Sequence, residues 1–219
     1  MNIKIPLYIP ESQVKNIPIT FRWDDWDPYP LIGKNEPSTE QLLSKITNYG
    51  KFVFSLGCAE WVVARLDQFL ENDLPWKYLD ACWAFEMSSN FALPVELDDS
   101  EWGGRVLGPI CLVLTTVINT RYGFDENNAE TDSAFAEKIA LHVLPDFILF
   151  KEWRDNILSK LLHLCPVDRQ HPLGERLPRD VLNPKSTINT NQFSPLLASS
   201  IEGLNIHGNP YIRSHDFDE

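Results

Sequence analysis

The sequence predicts a mainly α-helical protein, a compact bundle of about five or six helices with an irregular N-terminal arm and a proline-rich C-terminal extension. Apolar residues recur at helical spacing through the middle of the chain, and prolines are concentrated in both flanks. The 219 residues, 43% of them hydrophobic, suffice for one domain that buries about 70% of its unfolded surface. We therefore expect a single domain, 1–219, divided into an arm (1–36), a helical core (37–165) and an extension packed on the core (166–219).

The N-terminal arm contains five prolines, which divide it into short extended pieces. Ile17 to Arg22 is predicted to be a strand, because β-branched and aromatic residues surround its single proline. The rest of the arm is expected to lie over the helical core.

The first predicted helix begins after Pro37. Ser38 or Thr39 can cap it, and the helix is expected to continue to Tyr49. Gly50 and Gly57 are expected to bend or interrupt the chain before a second helix, whose apolar residues form one buried stripe. That stripe consists of Val62, Leu66, Phe69 and Leu70.

The segment WKYLDACWAFEM predicts a helix that is apolar almost all round. Asn72 or Asp73 caps it, and Pro75 lies in its first turn, where proline costs little. A helix of this kind either occupies the centre of a core or presents an aromatic face to a partner, and the sequence leaves both interpretations open.

Three further helices are predicted before Cys165. The first starts at Asp98–Ser100 and contains Gly104 and Gly108, small residues that would let two helix backbones approach closely. Its apolar stretch, 106–118, is shorter than the roughly 20 residues of a membrane span, so we expect a buried core helix. The second starts at Thr131–Ser133 and is divided by Pro145 from the third, which carries a second apolar stripe. That stripe consists of Phe150, Trp153, Ile157, Leu161 and Leu164.

The extension contains six prolines and a polar run from 183 to 194. It is expected to be irregular, with one helical turn near Pro195–Ile201. Its isolated apolar residues would attach it to the core.

Charge excludes several classes of partner. Nineteen Lys and Arg against 31 Asp and Glu give 19 − 31 = −12, which argues against a nucleic-acid binder and against an anionic membrane surface. The N-terminus MNIKIPLYIPESQ does not resemble a signal peptide. The four cysteines form no CxxC pair and have apolar neighbours. We expect reduced, buried thiols and a cytoplasmic protein.

Each candidate motif for catalysis, for a metal or for a cofactor lacks a residue that the motif requires. GGRVLGP at 103–109 has a proline where a phosphate-binding loop needs lysine, so helix packing explains it better. Asp25, Asp27 and Glu36 imitate part of a calcium loop, but Pro30 replaces the required glycine. The five histidines lack zinc-site spacing, and no nucleophile motif occurs. We expect no catalytic residue, no metal and no cofactor.

Two acidic clusters remain, WDDWD at 23–27 and VELDDSE at 95–101. Helix capping explains one or two of these charges, and a solvated surface is the simpler alternative for the rest. Residues 1–130 carry 19 acids and 10 bases, against 12 and 9 in 131–219, so the N-terminal part is expected to face any cationic partner. The candidate partner-binding residues are Asp24, Asp25, Asp27, Glu96, Asp98, Asp99 and Glu101 as electrostatic contacts, with Trp26 and Trp102 as aromatic anchors.

These two clusters, together with WKYLDACWAFEM and the lack of a catalytic motif, resemble the general character of immunity proteins from bacterial polymorphic toxin systems. The resemblance extends loosely over the whole chain and includes no family motif. It implies a non-catalytic inhibitor that binds a cognate toxin with a basic surface in the cytosol. A helical enzyme whose acid–base pair comes from different helices, and a chaperone or adaptor for a secreted effector, are the alternatives.

Overall fold

Helical backbone dominates the structure, a computed structural model, and so confirms the mainly α-helical class. The structure describes residues 5–126, 128–144, 148–204, 206 and 208–214, and for Asp99 the backbone alone. In chain order the helices are α1 Glu11–Val14, α2 Tyr29–Ile32, α3 Pro37–Leu43, α4 Asn48–Leu66, α5 Leu74–Met87, α6 Gly104–Glu126, α7 Ala129–Val143, α8 Ile148–Leu164 and α9 Phe193–Gly203. Two short strands, β1 Phe91–Ala92 and β2 Arg213–Ser214, pair antiparallel, with Phe91 opposite Ser214.

Helix α4 lies at the centre of the core, where α5, α6, α7 and α8 pack around it. All of its residues except Tyr49 are buried, because its sequence is apolar on every side. Gly50 and Gly57 lie inside this uninterrupted helix, so the expected break there is wrong. A Cβ at Gly57 would lie 2.7 Å from the Trp153 indole, so the glycine allows α8 to pack closely.

The first predicted helix ends earlier than expected, at Leu43 rather than Tyr49. Residues 44–47 instead form backbone hydrogen bonds with the segment that follows α8. The Thr47 N–H donates to the Cys165 carbonyl at 3.0 Å, and the Val167 N–H donates to the Lys45 carbonyl at 2.8 Å. This contact between distant segments stops α3 and sets the direction in which α4 begins.

The strand predicted at Ile17–Arg22 is absent, and the arm has no regular secondary structure over those residues. Its carbonyls accept hydrogen bonds from side chains instead of from a neighbouring strand. Arg65 donates to Pro18 at 2.9 Å, and Arg105 donates to Phe21 at 2.6 Å. The arm is therefore fixed to α4 and α6 by two arginines.

Helix α5 is the aromatic segment, and its predicted start is correct. The Leu74 N–H donates to the Asn72 side chain at 3.0 Å, and Pro75 occupies the first turn. Trp76 and Trp83 on one side and Tyr78 on the other are all buried, so this helix belongs to the core.

Helix α6 begins at Gly104, after a 3₁₀ turn at Asp99–Glu101. The close contact at Gly108 is not the helix–helix contact that was expected. A Cβ there would lie 2.3 Å from the Trp23 indole nitrogen, so the glycine makes room for an aromatic side chain of the arm. Helix α7 starts two residues before Thr131, and the predicted division at Pro145 lies outside the described residues.

The extension packs on the core through a 3₁₀ turn, Arg179–Leu182, and through α9, which is longer than the expected single turn. Trp153 in α8 donates its indole N–H to the Leu182 carbonyl at 2.9 Å. Lys160 donates to the carbonyls of Asn183 and Ser186 at 2.9 and 2.8 Å. The extension is thus attached by hydrogen bonds as well as by buried apolar side chains.

Candidate functional site

The first acidic cluster forms a tight turn in the arm. The Asp24 carboxylate accepts a hydrogen bond from the Trp26 backbone N–H at 2.9 Å, which is a side-chain turn typical of aspartate. Asp25 accepts a hydrogen bond from the Trp23 indole at 2.8 Å, while the Trp23 ring covers Gly108. The loop is therefore fixed to α6 on one side and exposes Asp24 and Asp27 on the other.

A single side chain connects the two acidic clusters. Asp25 also accepts a hydrogen bond from the Gly104 N–H at 2.8 Å, across 79 positions of sequence. Gly104 begins α6, three residues after Glu101. The structure thus joins segment 23–27 to the chain that carries the second cluster, and we name residues 24–27 and 96–101 together the acidic face.

Apart from Asp99, the carboxylates of the acidic face are exposed and carry no ion pair with another described residue. Arg105, the base nearest in sequence to the second cluster, donates to the carbonyls of Ile19 and Phe21. Hydrogen bonds from Ser100 lower the pKa of Asp98, so its carboxylate stays ionised at neutral pH. The side chain of Asp99 lies outside the described part of the chain. The described carboxylates of this face therefore have no neutralising base among the described residues.

The two tryptophans predicted as anchors have opposite environments. Trp26 is 97% exposed, although a tryptophan normally buries most of its surface. Trp102 is 8% exposed and belongs to the core, so it offers too little surface to anchor a partner, and the expectation for this residue is corrected. Trp26 alone is available for contact.

The calcium-like segment, the glycine-containing segment and His142 each have a structural role. Tyr29 and Pro30 lie in α2 rather than in a calcium loop, and Gly108 packs against Trp23. The His142 ring is 2.7 Å from the Arg22 carbonyl, which fixes the arm to α7. Within the described ranges, no group of three or more His, Cys, Asp or Glu side chains could hold a metal ion.

Sequence reasoning missed a charged cluster beneath the arm. Glu60 in α4 is fully buried and interacts with three groups from distant segments. Trp83 donates its indole N–H to Glu60 at 2.7 Å, Tyr8 donates its hydroxyl to the same carboxylate, and Arg179 forms an ion pair with it. Burial raises the pKa of Glu60, and Arg179 and the Trp83 hydrogen bond oppose that effect. A lone acid within FSLGCAEWVV was the signal for this cluster.

A cleft of about 320 Å³ opens beside this cluster, and we name it the arm cleft. Its walls come from residues 5–8 of the arm, the end of α5, the 3₁₀ turn with Arg179 and Asp180, and α9 with Ser200. Tyr8 and Arg179 both line the cleft and contact Glu60. Glu60 therefore holds two lining side chains in position without being exposed itself.

Two other buried acidic side chains stabilise contacts between elements of the fold. The Glu137 carboxylate in α7 pairs with Arg154 of α8 at 2.5 Å. Glu86 in α5 accepts a hydrogen bond from the Leu177 N–H at 2.8 Å, which holds the extension against the core. Both contacts connect elements that are distant in sequence.

Comparison of the chain with protein-family models, with curated proteins and with solved structures finds no match. Helix α6 is long and apolar enough, by length and composition, to cross a membrane. In the structure, 61% of its most apolar window is buried, and a buried core helix of this length meets the same criterion. The functional interpretation therefore depends on the geometry of this chain.

Proposed function

We propose that the protein is a non-catalytic binding protein of the cytosol that neutralises a cognate toxin domain with a basic surface. The observation that supports the proposal is the hydrogen bond from Gly104 to Asp25, which unites two acidic segments on one face. A fully exposed tryptophan, Trp26, lies on the same loop. The bundle of helices, with the arm and the extension packed on it, would support this face.

The carboxylates of the acidic face would affect the association rate, because they attract the partner before the two surfaces touch. Unpaired surface charges of one sign attract a surface of the opposite sign and raise the association rate, toward about 10⁸ per molar per second at low salt. Salt screens that attraction over about 10 Å at 0.1 M. The association rate is therefore expected to fall steeply as ionic strength increases.

Trp26 would act after contact. An aromatic side chain that is exposed in the free protein and becomes buried in an interface is typical of the few residues that dominate affinity. The hydrogen bond from the Trp26 N–H to Asp24 holds the loop in shape, so little conformational freedom would be lost on binding. A specific complex is expected to bury about 1,200 Å² or more in total.

A genetic test identifies the partner. The neighbouring reading frames are expressed singly and together with this protein in a bacterial host. Immunity predicts that one neighbour is lethal alone and harmless when co-expressed. If every neighbour is harmless, the toxin-neutralising function is wrong, and improved solubility of a harmless neighbour indicates an effector chaperone instead.

A biophysical test then examines the acidic face. The triple variant D27K/E96K/E101K reverses exposed charges for which the structure shows no side-chain hydrogen bond or ion pair. We expect its association rate with the rescued toxin to fall at least about tenfold at low salt, with a weaker salt dependence. Trp26→Ala is expected to raise the dissociation rate and to cost about 2 kcal/mol of binding.

The matched control has the same net charge. The variant E71K/E152K/E175K reverses three exposed acids outside the acidic face. It is expected to retain most of the wild-type association rate. If the two triple variants behave alike, only total charge matters and the assignment to this face is wrong.

A further inference from the structure

The arm cleft contains a guanidinium that is fixed in position but incompletely used. Arg179 pairs with Glu60 through Nη2, and its guanidinium carbon lies 5.7 Å from the centre of the Trp83 ring. No described residue accepts a hydrogen bond from its Nε or Nη1, and 28% of the side chain is exposed. A guanidinium held in this way presents charged N–H donors to the cleft, and a carboxylate is the natural acceptor for such donors.

A carboxylate lies beside it in the same cleft. Asp180 is exposed and lines the cleft next to Arg179. It forms no ion pair with a described residue, although the Lys160 ammonium is close enough to interact with it electrostatically. The cleft therefore offers one positive and one negative group. A purely anionic ligand would be repelled by the net charge of −12, whereas a ligand that carries both charges is not.

The remaining walls are largely apolar. Ile5 and Leu7 of the arm, Met87 at the end of α5, and Leu204 after α9 line the cleft. A volume of about 320 Å³ lies at the lower end of the range of small-molecule sites, about 300–1,000 Å³. The occupant must therefore be small, with an apolar group beside its two charges.

We propose that the arm cleft binds a free α-amino acid with an apolar side chain. The α-carboxylate meets the free N–H donors of Arg179, the α-ammonium meets Asp180, and the side chain contacts Met87 and Leu204. No covalent step is involved. The site is separate from the acidic face and does not depend on the proposed function.

Calorimetric titration of the full-length protein tests the proposal with three related probes. L-leucine carries both charges, L-leucinamide lacks the carboxylate, and 4-methylpentanoate lacks the ammonium. We expect L-leucine or L-methionine to bind with a Kd below about 1 mM, and each analogue of leucine to bind at least about tenfold more weakly. No binding of either amino acid at 10 mM, or equal binding of the three leucine probes, would overturn the proposal.

Two variants test which residue recognises the ammonium of the ligand and which recognises its carboxylate. Asp180→Asn is expected to weaken L-leucine binding about tenfold without weakening 4-methylpentanoate, because that analogue has no ammonium and loses only a repulsion. Arg179→Lys keeps a cation beside Glu60 but loses the additional N–H donors of the guanidinium, and it is expected to weaken the binding of both ligands. Glu152→Gln, on the exposed side of α8, is the control and is expected to bind like wild type.

Two results would contradict the assignment even if binding occurs. If Asp180→Asn binds L-leucine as well as wild type does, the ammonium is not recognised at this cleft. If the dipeptide Leu-Leu binds more tightly than L-leucine, the ligand is a peptide rather than a free amino acid. Should Arg179→Lys fail to fold, the probe series and Asp180→Asn still decide the outcome.

Discussion

Glu86 in α5 is a buried carboxyl group with one satisfied oxygen. Its Oε1 accepts the Leu177 N–H, whereas Oε2 is buried with no hydrogen-bond partner in the described part of the structure. Arg176 lies close but donates to the carbonyls of Phe85 and Glu86 rather than to the carboxylate. Burial raises the pKa of Glu86 well above its usual value, despite the opposing Leu177 hydrogen bond and the Arg176 charge. The surroundings of this carboxyl group therefore favour its protonated form.

This raised pKa makes stability depend on pH. Above the usual value of 4.5 the unfolded chain releases the proton that the folded protein keeps, so the free energy of unfolding falls as pH rises toward the folded-state pKa. Glu86→Gln retains an acceptor for Leu177 and removes the titration. We expect it to match wild type near pH 4 and to be more stable at pH 7, the gap growing by at most about 1.4 kcal/mol per pH unit.

Urea denaturation of wild type and Glu86→Gln from pH 4 to pH 8 measures that gap. Glu152→Gln removes an exposed acid on α8 and serves as the control, with an expected curve parallel to wild type. Parallel curves for Glu86→Gln as well would show that Glu86 is ionised in the folded protein.

Burial of single residues was predictable only in part. Trp26 and Trp102 each adjoin an acidic cluster in the sequence, yet one is exposed and the other is in the core. The difference arises because Asp24 turns the chain outward at Trp26, whereas Trp102 precedes a helix that is buried along much of its length. The residues adjacent in sequence therefore do not predict which of the two tryptophans is buried.

At the scale of elements, helix type was predictable and helix ends were not. Helix α5 has its start signal, its first-turn proline and its apolar faces within its own sequence, although the N-cap residue Asp73 forms no side-chain cap hydrogen bond. The end of α3 depends on hydrogen bonds to residues 165–167, more than 100 positions away. The same reason explains the absent strand at 17–22, whose carbonyls bond to Arg65 and Arg105. Contacts of this kind override local propensity.

The packing of α8 on α4 gives a prediction about Gly57. A Cβ there would lie 2.7 Å from the Trp153 ring, and Trp153 is held in place by its hydrogen bond to Leu182. Gly57→Ala is therefore expected to destabilise the protein by about 1–3 kcal/mol, although alanine favours helix. Gly203 in α9 has no atom within 4 Å of such a Cβ, so Gly203→Ala is expected to be neutral or stabilising by up to about 1 kcal/mol.

Urea midpoints of the two variants separate packing from helix propensity. A lower midpoint for Gly57→Ala alone supports close packing at Trp153. If both variants are stabilised, α8 can move away from α4 at little cost and the contact is looser than the structure shows.

Over the whole molecule, Glu60 connects all three parts of the chain. Tyr8 reaches it from the arm and Arg179 reaches it from the extension, while Glu60 itself belongs to the central helix. The Tyr8 ring also stacks on Trp153 of α8, with 5.7 Å between ring centres. Because the arm and the extension share these contacts with the core, we expect the three parts to unfold together.

The cysteines allow that cooperativity to be measured. Cys58, Cys82, Cys111 and Cys165 lie in or beside α4, α5, α6 and α8, and each is buried. Burial also raises the pKa of Cys58, Cys82 and Cys165, which disfavours the reactive thiolate. A thiol reagent can therefore modify them only when the structure opens.

If the chain opens as one unit, all four cysteines are expected to react at the same slow rate in native buffer, and that rate should rise with urea in proportion to the unfolded fraction. Absorbance with a chromogenic disulfide reagent gives the rate, and mass spectrometry of peptides assigns it to each residue. Ser12→Cys, exposed on α1, is expected to react at once and confirms that the reagent is active. A fast reaction of Cys165 that urea leaves unchanged would show instead that the extension separates from the core, because that thiol lies where 165–167 meets the start of α4.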